Sequence, residues 1–142
     1  MISEAAAWNQ IDLLHIPKDH EPTAKEHELI TAAYKGYLEQ VKTLVFMDRV
    51  DVNAARKYSK GASTALVNAS QNGHLGIVKF LIGQGADIDK PVKEGITALM
   101  VASQNGHHLV VQFLIEHGAY VNHKSEQRGL TALFLAAERG HL

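Results

Sequence analysis

The sequence predicts an all-α solenoid, in which helix-turn-helix units stack in a row and hairpin-like finger loops join them. Two observations carry this. The chain repeats itself: Gly73-His74-Leu75-Gly76-Ile77-Val78-Lys79-Phe80-Leu81-Ile82 returns 33 residues later as Gly106-His107-His108-Leu109-Val110-Val111-Gln112-Phe113-Leu114-Ile115. A period of this length marks an array whose units bury their apolar faces only against their neighbours. The punctuation also repeats. Thr64-Ala65-Leu66, Thr97-Ala98-Leu99 and Thr131-Ala132-Leu133 open one helix per unit, and Gly73, Gly106 and Gly140 close it. A glycine just past a helix end supplies the left-handed turn that a Cβ would penalise.

Residues 1–22 form a leader, and the array occupies 23–142 in units of about 23–53, 61–89, 95–122 and 129–142. In the leader, 5–14 is expected to be helical, with Trp8 and Ile11 on one face, before Pro17 and Pro22 break the chain. It reads as a cap on the first unit, with a partner-binding helix or a disordered tail as the other readings. Thr23-Ala24-Lys25-Glu26 is a capping box. The helix it starts buries Leu29, Ala32 and Ala33 and stops at Gly36. A second helix carries Leu38, Val41, Leu44 and Val45 at helical spacing. The tail of this unit lacks the glycine found at Gly85 and Gly118 and is one residue longer. Later units repeat the pair, with inner helices near 64–72 and 97–105 and outer helices near 76–83 and 109–116. The fourth unit has an inner helix and then only His141-Leu142. It is expected to be part of a longer array, or else a minimal cap or dimer contact.

Composition fits one soluble domain: 142 residues, 46% hydrophobic, 20% charged and net charge −1. The charge is uneven, at −4 over residues 1–28 and +3 over the rest. The absence of cysteine removes disulfides and thiolate metal sites. No apolar run approaches ~18 residues, so no membrane helix is expected. The N-terminus lacks the basic region of a signal peptide. A cytoplasmic setting is the expectation, with the nucleus second.

Chemistry finds little footing. His107, His108, His117 and His123 fall in one unit, but no His-Glu-x-x-His occurs, and zinc needs three or four convergent ligands. His74, His107 and His141 recur with the period and read as turn-packing residues in a ladder. No metal or cofactor is expected. No Gly-x-Ser-x-Gly elbow, phosphate loop or dinucleotide fingerprint is present. An enzyme is not expected. A sequence pI near 6.7 argues against nucleic acid.

These units resemble the ankyrin repeat. The resemblance rests on the Thr-Ala-Leu opening, Gly-His, Ile-Val or Val-Val, Leu-Ile, and Gly-Ala-Asp-Ile-Asp or Gly-Ala-Tyr-Val-Asn, and it covers about residues 24–142. It implies an L-shaped stack with inner helices and fingers on a concave face. The chain departs from the family's Thr-Pro-Leu-His. Ala65, Ala98 and Ala132 replace the proline, and Val67, Met100 and Phe134 replace the histidine. Asn68 stands where the family usually has leucine. A buried asparagine without partners would cost about 1–3 kcal/mol, so it is expected to bond into a neighbouring unit.

The resemblance also implies a partner-binding strip made of fingertips and inner-helix ends. In the fingers this selects Lys57, Tyr58 and Lys60, then Val92, Lys93 and Ile96, then Arg128. At the helix ends it selects Tyr34, Gln71 with Asn72, Gln104 with Asn105, and Glu138 with Arg139. Tyr58 between Lys57 and Lys60 is the expected centre, because tyrosine anchors interfaces well. The basic fingers imply an acidic patch on the partner. The family further allows hydroxylation of Asn53 or Asn122. The expected function is non-catalytic binding of a protein or peptide by a monomer. The alternative is a structural role, including dimerisation through the incomplete fourth unit.

Overall fold

Among the described residues, a threonine opens each inner helix and works through its hydroxyl. Thr23 Oγ1 accepts from Glu26 N at 3.2 Å, while Glu26 Oε2 accepts from Thr23 N at 2.6 Å, which completes the capping box. Thr64, Thr97 and Thr131 accept from the backbone N–H three residues on, at 3.2, 3.4 and 3.3 Å. Each bond satisfies one of the donors that a helix start leaves unpaired. This hydroxyl cap fixes the helix start at units where alanine stands in place of proline.

The computed structural model describes residues 23–55, 63–126 and 128–141. Among them the helices are α1 (Ala24–Lys35), α2 (Leu38–Phe46), α3 (Ala65–Gln71), α4 (Leu75–Gly83), α5 (Ala98–Gln104), α6 (His108–Glu116) and α7 (Ala132–Glu138). The inner helices α1, α3, α5 and α7 pack in series, and each outer helix α2, α4 and α6 packs on its inner partner. The expected helix limits match these to within about a residue. The leader, with Trp8 and Ile11, lies outside the described residues.

One continuous core runs along the stack. Alanines on the inner helices, such as Ala33, Ala69 and Ala102, are fully or almost fully buried and let neighbouring backbones approach. Leu29, Val41, Ile77, Leu81, Val110 and Leu114 fill the space between layers. Truncating one of the leucines or Ile77 to alanine would cost about 2–5 kcal/mol.

Asn68 does bond into the neighbouring unit. Its Nδ2 donates to Ile30 O on α1 at 3.2 Å, and its Oδ1 accepts from the Ser63 hydroxyl. The longer tail of the first unit is also present. Val50 N reaches back six residues to Leu44 O, whereas Ala86 N and Ala119 N reach back five, to Leu81 O and Leu114 O. Arg49, at φ +51°, makes the turn that Gly85 and Gly118 make at φ +90°.

The expected fingers are hairpin-like, with isolated bridges in place of extended strands. Ala55 pairs with Thr64 and Val92 with Ile96. In the third finger Ser125 N donates to Leu130 O at 2.9 Å, and Leu130 N donates back to Ser125 Oγ at 3.0 Å.

Candidate partner-recognition surface

The ends of the inner helices are held in register by a ladder of polar side chains. Asn72 Nδ2 and His74 Nε2 both donate to Tyr34 O, at 2.8 and 3.0 Å. One unit later Asn105 Nδ2 and His107 Nε2 donate to Gln71 O, at 3.1 and 2.8 Å. A carbonyl only accepts, so each ring carries its proton on Nε2. Each pair thereby satisfies a carbonyl left open at the end of the preceding inner helix. His141 rests against Gly106 as His107 rests against Gly73 and His74 against Gly36. The recurring histidines are thus turn-packing residues in a ladder, as their periodicity predicts.

A second ladder joins the fingers. Asp87 N donates to Asn53 Oδ1 at 2.7 Å, Asn53 Nδ2 donates to Gly85 O at 3.3 Å, and Lys90 Nζ donates to Asn53 O at 2.7 Å. Tyr120 N donates to Asp89 Oδ1 at 2.9 Å. Closer to the tips, His123 Nε2 donates to Gly95 O at 3.1 Å and Glu126 N to Glu94 O at 2.8 Å.

These ladders set the rows of the face. Tyr34, Gln71, Gln104 and Glu138 occupy matching places near the inner-helix ends, followed by Lys35, Asn72, Asn105 and Arg139. Asn72 and Asn105 commit an amide N–H to the stack, a role that the sequence pattern does not reveal. Val92 and Ile96 pair across the base of the second fingertip and are half-buried, with Lys93 exposed between them. Lys57, Tyr58 and Lys60 lie outside the described residues.

The structure gathers five of the expected contact residues around one cavity of about 280 Å³: Ile96, Gln104, Arg128, Glu138 and Arg139. Its floor includes Met100 and Leu135, both buried, with half-buried Val101 and Leu130 beside them. Its rim adds Glu94, whose backbone stands at φ +68° and ψ +18°. A non-glycine residue held in this region costs roughly 1–3 kcal/mol, and such strain concentrates at functional loops. Among the described residues, Arg128 and Arg139 form no ion pair; the pairs present are Lys25–Asp48 at 3.3 Å and Lys42–Glu39 at 3.5 Å. Two unpaired guanidinium groups thus flank an apolar floor, with Glu94 and Glu138 beside them. Tyr34 and Gln71 lie on earlier units, outside this cavity.

Sequence reasoning missed the floor and the strained tip. Met100 was visible as a departure from the family histidine, but its place in a cavity depends on how α5 meets α7. Among the described residues, no group of three or more His, Asp or Glu side chains is placed to hold a metal. No described helix is long and apolar enough to cross a membrane.

Comparison with known proteins agrees with this architecture. A family model of ankyrin repeats, in three copies, matches residues 29–125. Alpha-latrocrustotoxin-Lt1a of Latrodectus tredecimguttatus is 32% identical over 100 residues, covering 67% of this chain and 7% of that protein. Palmitoyltransferase akr1 of Schizosaccharomyces pombe is 41% identical over 61 residues, covering 43% of this chain and 9% of that protein. Alpha-latroinsectotoxin-Lt1a, also of Latrodectus tredecimguttatus, is 38% identical over 61 residues, with 43% and 4% covered. The chain spans less than a tenth of the length of these relatives. With its 33-residue period, its stacked helix pairs and a family match over most of its length, this chain belongs to the ankyrin repeat family.

Proposed function

We propose that this chain is a non-catalytic recognition module that holds a partner protein or peptide on its concave face. Ankyrin repeats are generally protein–protein interaction modules. One observation carries the finer reading. The residues selected as contacts from two separate fingers and two separate helices converge on one cavity with an apolar floor and unpaired arginines. An aliphatic side chain of the partner fits the Met100–Leu135 floor, and a carboxylate beside it fits Arg128 or Arg139, whose planar fork suits carboxylates. The basic first finger, Lys57, Tyr58 and Lys60, lies outside the described residues, and its charge suits an acidic partner surface.

The test is quantitative affinity capture with the chain and with its Arg128→Glu/Arg139→Glu variant, both checked for helix content by circular dichroism. Proteins held by the first and lost by the second support the reading. Capture that is equal with both refutes it.

The structural reading has its own support. Leu133 and Phe134 on α7 are 66% and 50% exposed, while Leu99 and Met100, their counterparts on α5, are 3% and 1% exposed. This apolar end offers a surface for assembly, instead of or alongside recognition on the concave face.

A further inference from the structure

The dipeptide Asn-Gly occurs twice in this chain, as Asn72-Gly73 and Asn105-Gly106. Both times it stands at the ladder that registers the inner-helix ends. Lys35-Gly36 and Arg139-Gly140 fill the same place in the first and fourth units. At an Asn-Gly step the backbone nitrogen reaches the preceding side-chain amide easily, because glycine has no Cβ in the way. Asn53, Asn68 and Asn122 are followed by alanine or histidine instead.

In the folded stack each step is locked from both sides. The amide is tied to the unit before: Asn72 Nδ2 donates to Tyr34 O at 2.8 Å and Asn105 Nδ2 to Gln71 O at 3.1 Å. The glycine is covered by the unit after, since the His107 ring lies against Gly73 and the His141 ring against Gly106. The attacking nitrogen is engaged as well. Gly73 N donates to Ser70 O and Gly106 N to Ser103 O, both at 3.3 Å. The backbone is also turned the wrong way. Ring closure needs the glycine nitrogen on the same side of the Cα–C bond as the asparagine Cβ, and ψ values of 4° at Asn72 and 3° at Asn105 hold it away.

We infer that Asn72 and Asn105 are sites of spontaneous deamidation, which the stack keeps closed and which open when neighbouring units part. The reactants are the chain and water. Gly73 N attacks Asn72 Cγ. The new C–N bond forms, the Cγ–Nδ2 bond breaks, and ammonia leaves with the proton that Gly73 N carried. Water then adds to the cyclic imide. It cleaves either the new Cγ–N bond, which gives aspartate, or the original peptide C–N bond, which gives isoaspartate. One water enters, one ammonia leaves, and nothing is oxidised. Asn105 and Gly106 react in the same way. For the ladder the change is one-way. A carboxylate only accepts hydrogen bonds, and so do Tyr34 O and Gln71 O. The junction loses a bond and gains an anion that faces a carbonyl. At Asn105 the new charge stands next to Gln104, part of the concave cavity. Each conversion is therefore a lasting record that the array has opened. The inference is independent of the concave-face reading.

The experiment incubates the full chain in mildly alkaline buffer, folded and in guanidinium chloride. Both sites are followed by mass on the tryptic peptides 61–79 and 94–124. Each site converts at least about tenfold more slowly in the folded chain than in denaturant. His141→Ala uncovers Gly106 and leaves Gly73 covered, so in the folded chain it speeds conversion of Asn105 about threefold and leaves that of Asn72 unchanged. Asn105→Asp reproduces the product and lowers Tm by about 3 °C. Equal rates in the two states, or no conversion even in denaturant, overturns the proposal. So does a His141→Ala variant that speeds both sites alike or neither, or an unchanged Tm in Asn105→Asp.

Discussion

The His107 ring lies directly on the backbone of Gly73, one unit earlier in the stack. A Cβ at Gly73 would meet His107 Nδ1 at 2.5 Å, while the same ring donates from Nε2 to Gln71 O at 2.8 Å. The glycine therefore serves two purposes: it takes φ +73°, and it leaves room for the next unit's histidine.

Gly73→Ala should lower stability by about 2–4 kcal/mol, combining left-handed backbone strain with overpacking. Gly85→Ala isolates the first contribution, because φ is +90° there and no atom lies within 4 Å of where the added methyl would stand. It should cost about 1–2 kcal/mol. Urea denaturation of both variants measures the difference. Equal losses would mean that the His107 contact contributes nothing.

Ser70 sits in the core of α3 with 0% exposure, and among the described residues its hydroxyl has no hydrogen-bond partner. An unsatisfied buried hydroxyl is destabilising, so Ser70→Ala should raise stability by about 1 kcal/mol. A higher midpoint with an unchanged denaturant slope is the expected result.

Asn68 presents the opposite case, since both ends of its amide are engaged. Asn68→Ala leaves Ile30 O and the Ser63 hydroxyl without these partners, and should cost about 1–2 kcal/mol by the same denaturation measurement.

Arg49→Gly should stabilise the first unit by about 0.5 kcal/mol. It removes a left-handed arginine at φ +51° and gives back part of that gain as unfolded-state entropy. Differential scanning calorimetry reads the change.

The parts of this fold legible in the sequence are those set by local chemistry. Thr64, Thr97 and Thr131 mark helix starts because a hydroxyl caps the N–H three residues on. Gly73, Gly106 and Gly140 mark helix ends because of their turn geometry. The extra residue before Val50 shows up as a break in register. Other features depend on how units meet. Asn72 and Asn105 look like free contact residues until the carbonyls of Tyr34 and Gln71 lie beside them. The left-handed backbone of Glu94 accompanies the bond from Glu126 N to Glu94 O, between fingers about thirty residues apart. The cavity likewise exists only once α5, α7 and two fingers are assembled. The sequence centred the site on Tyr58, whereas among the described residues the convergence is around Arg128 and Arg139.

The most direct test of the central claim is paired affinity capture with the chain and its Arg128→Glu/Arg139→Glu variant. Both arginines are exposed and unpaired, so the variant should keep its stability to within about 0.5 kcal/mol. The account predicts at least one protein held by the chain and reduced tenfold or more by the variant. Undiminished capture by the variant, with the loss appearing instead on Leu133→Asp, would contradict concave-face recognition and move the binding surface to the end of the stack.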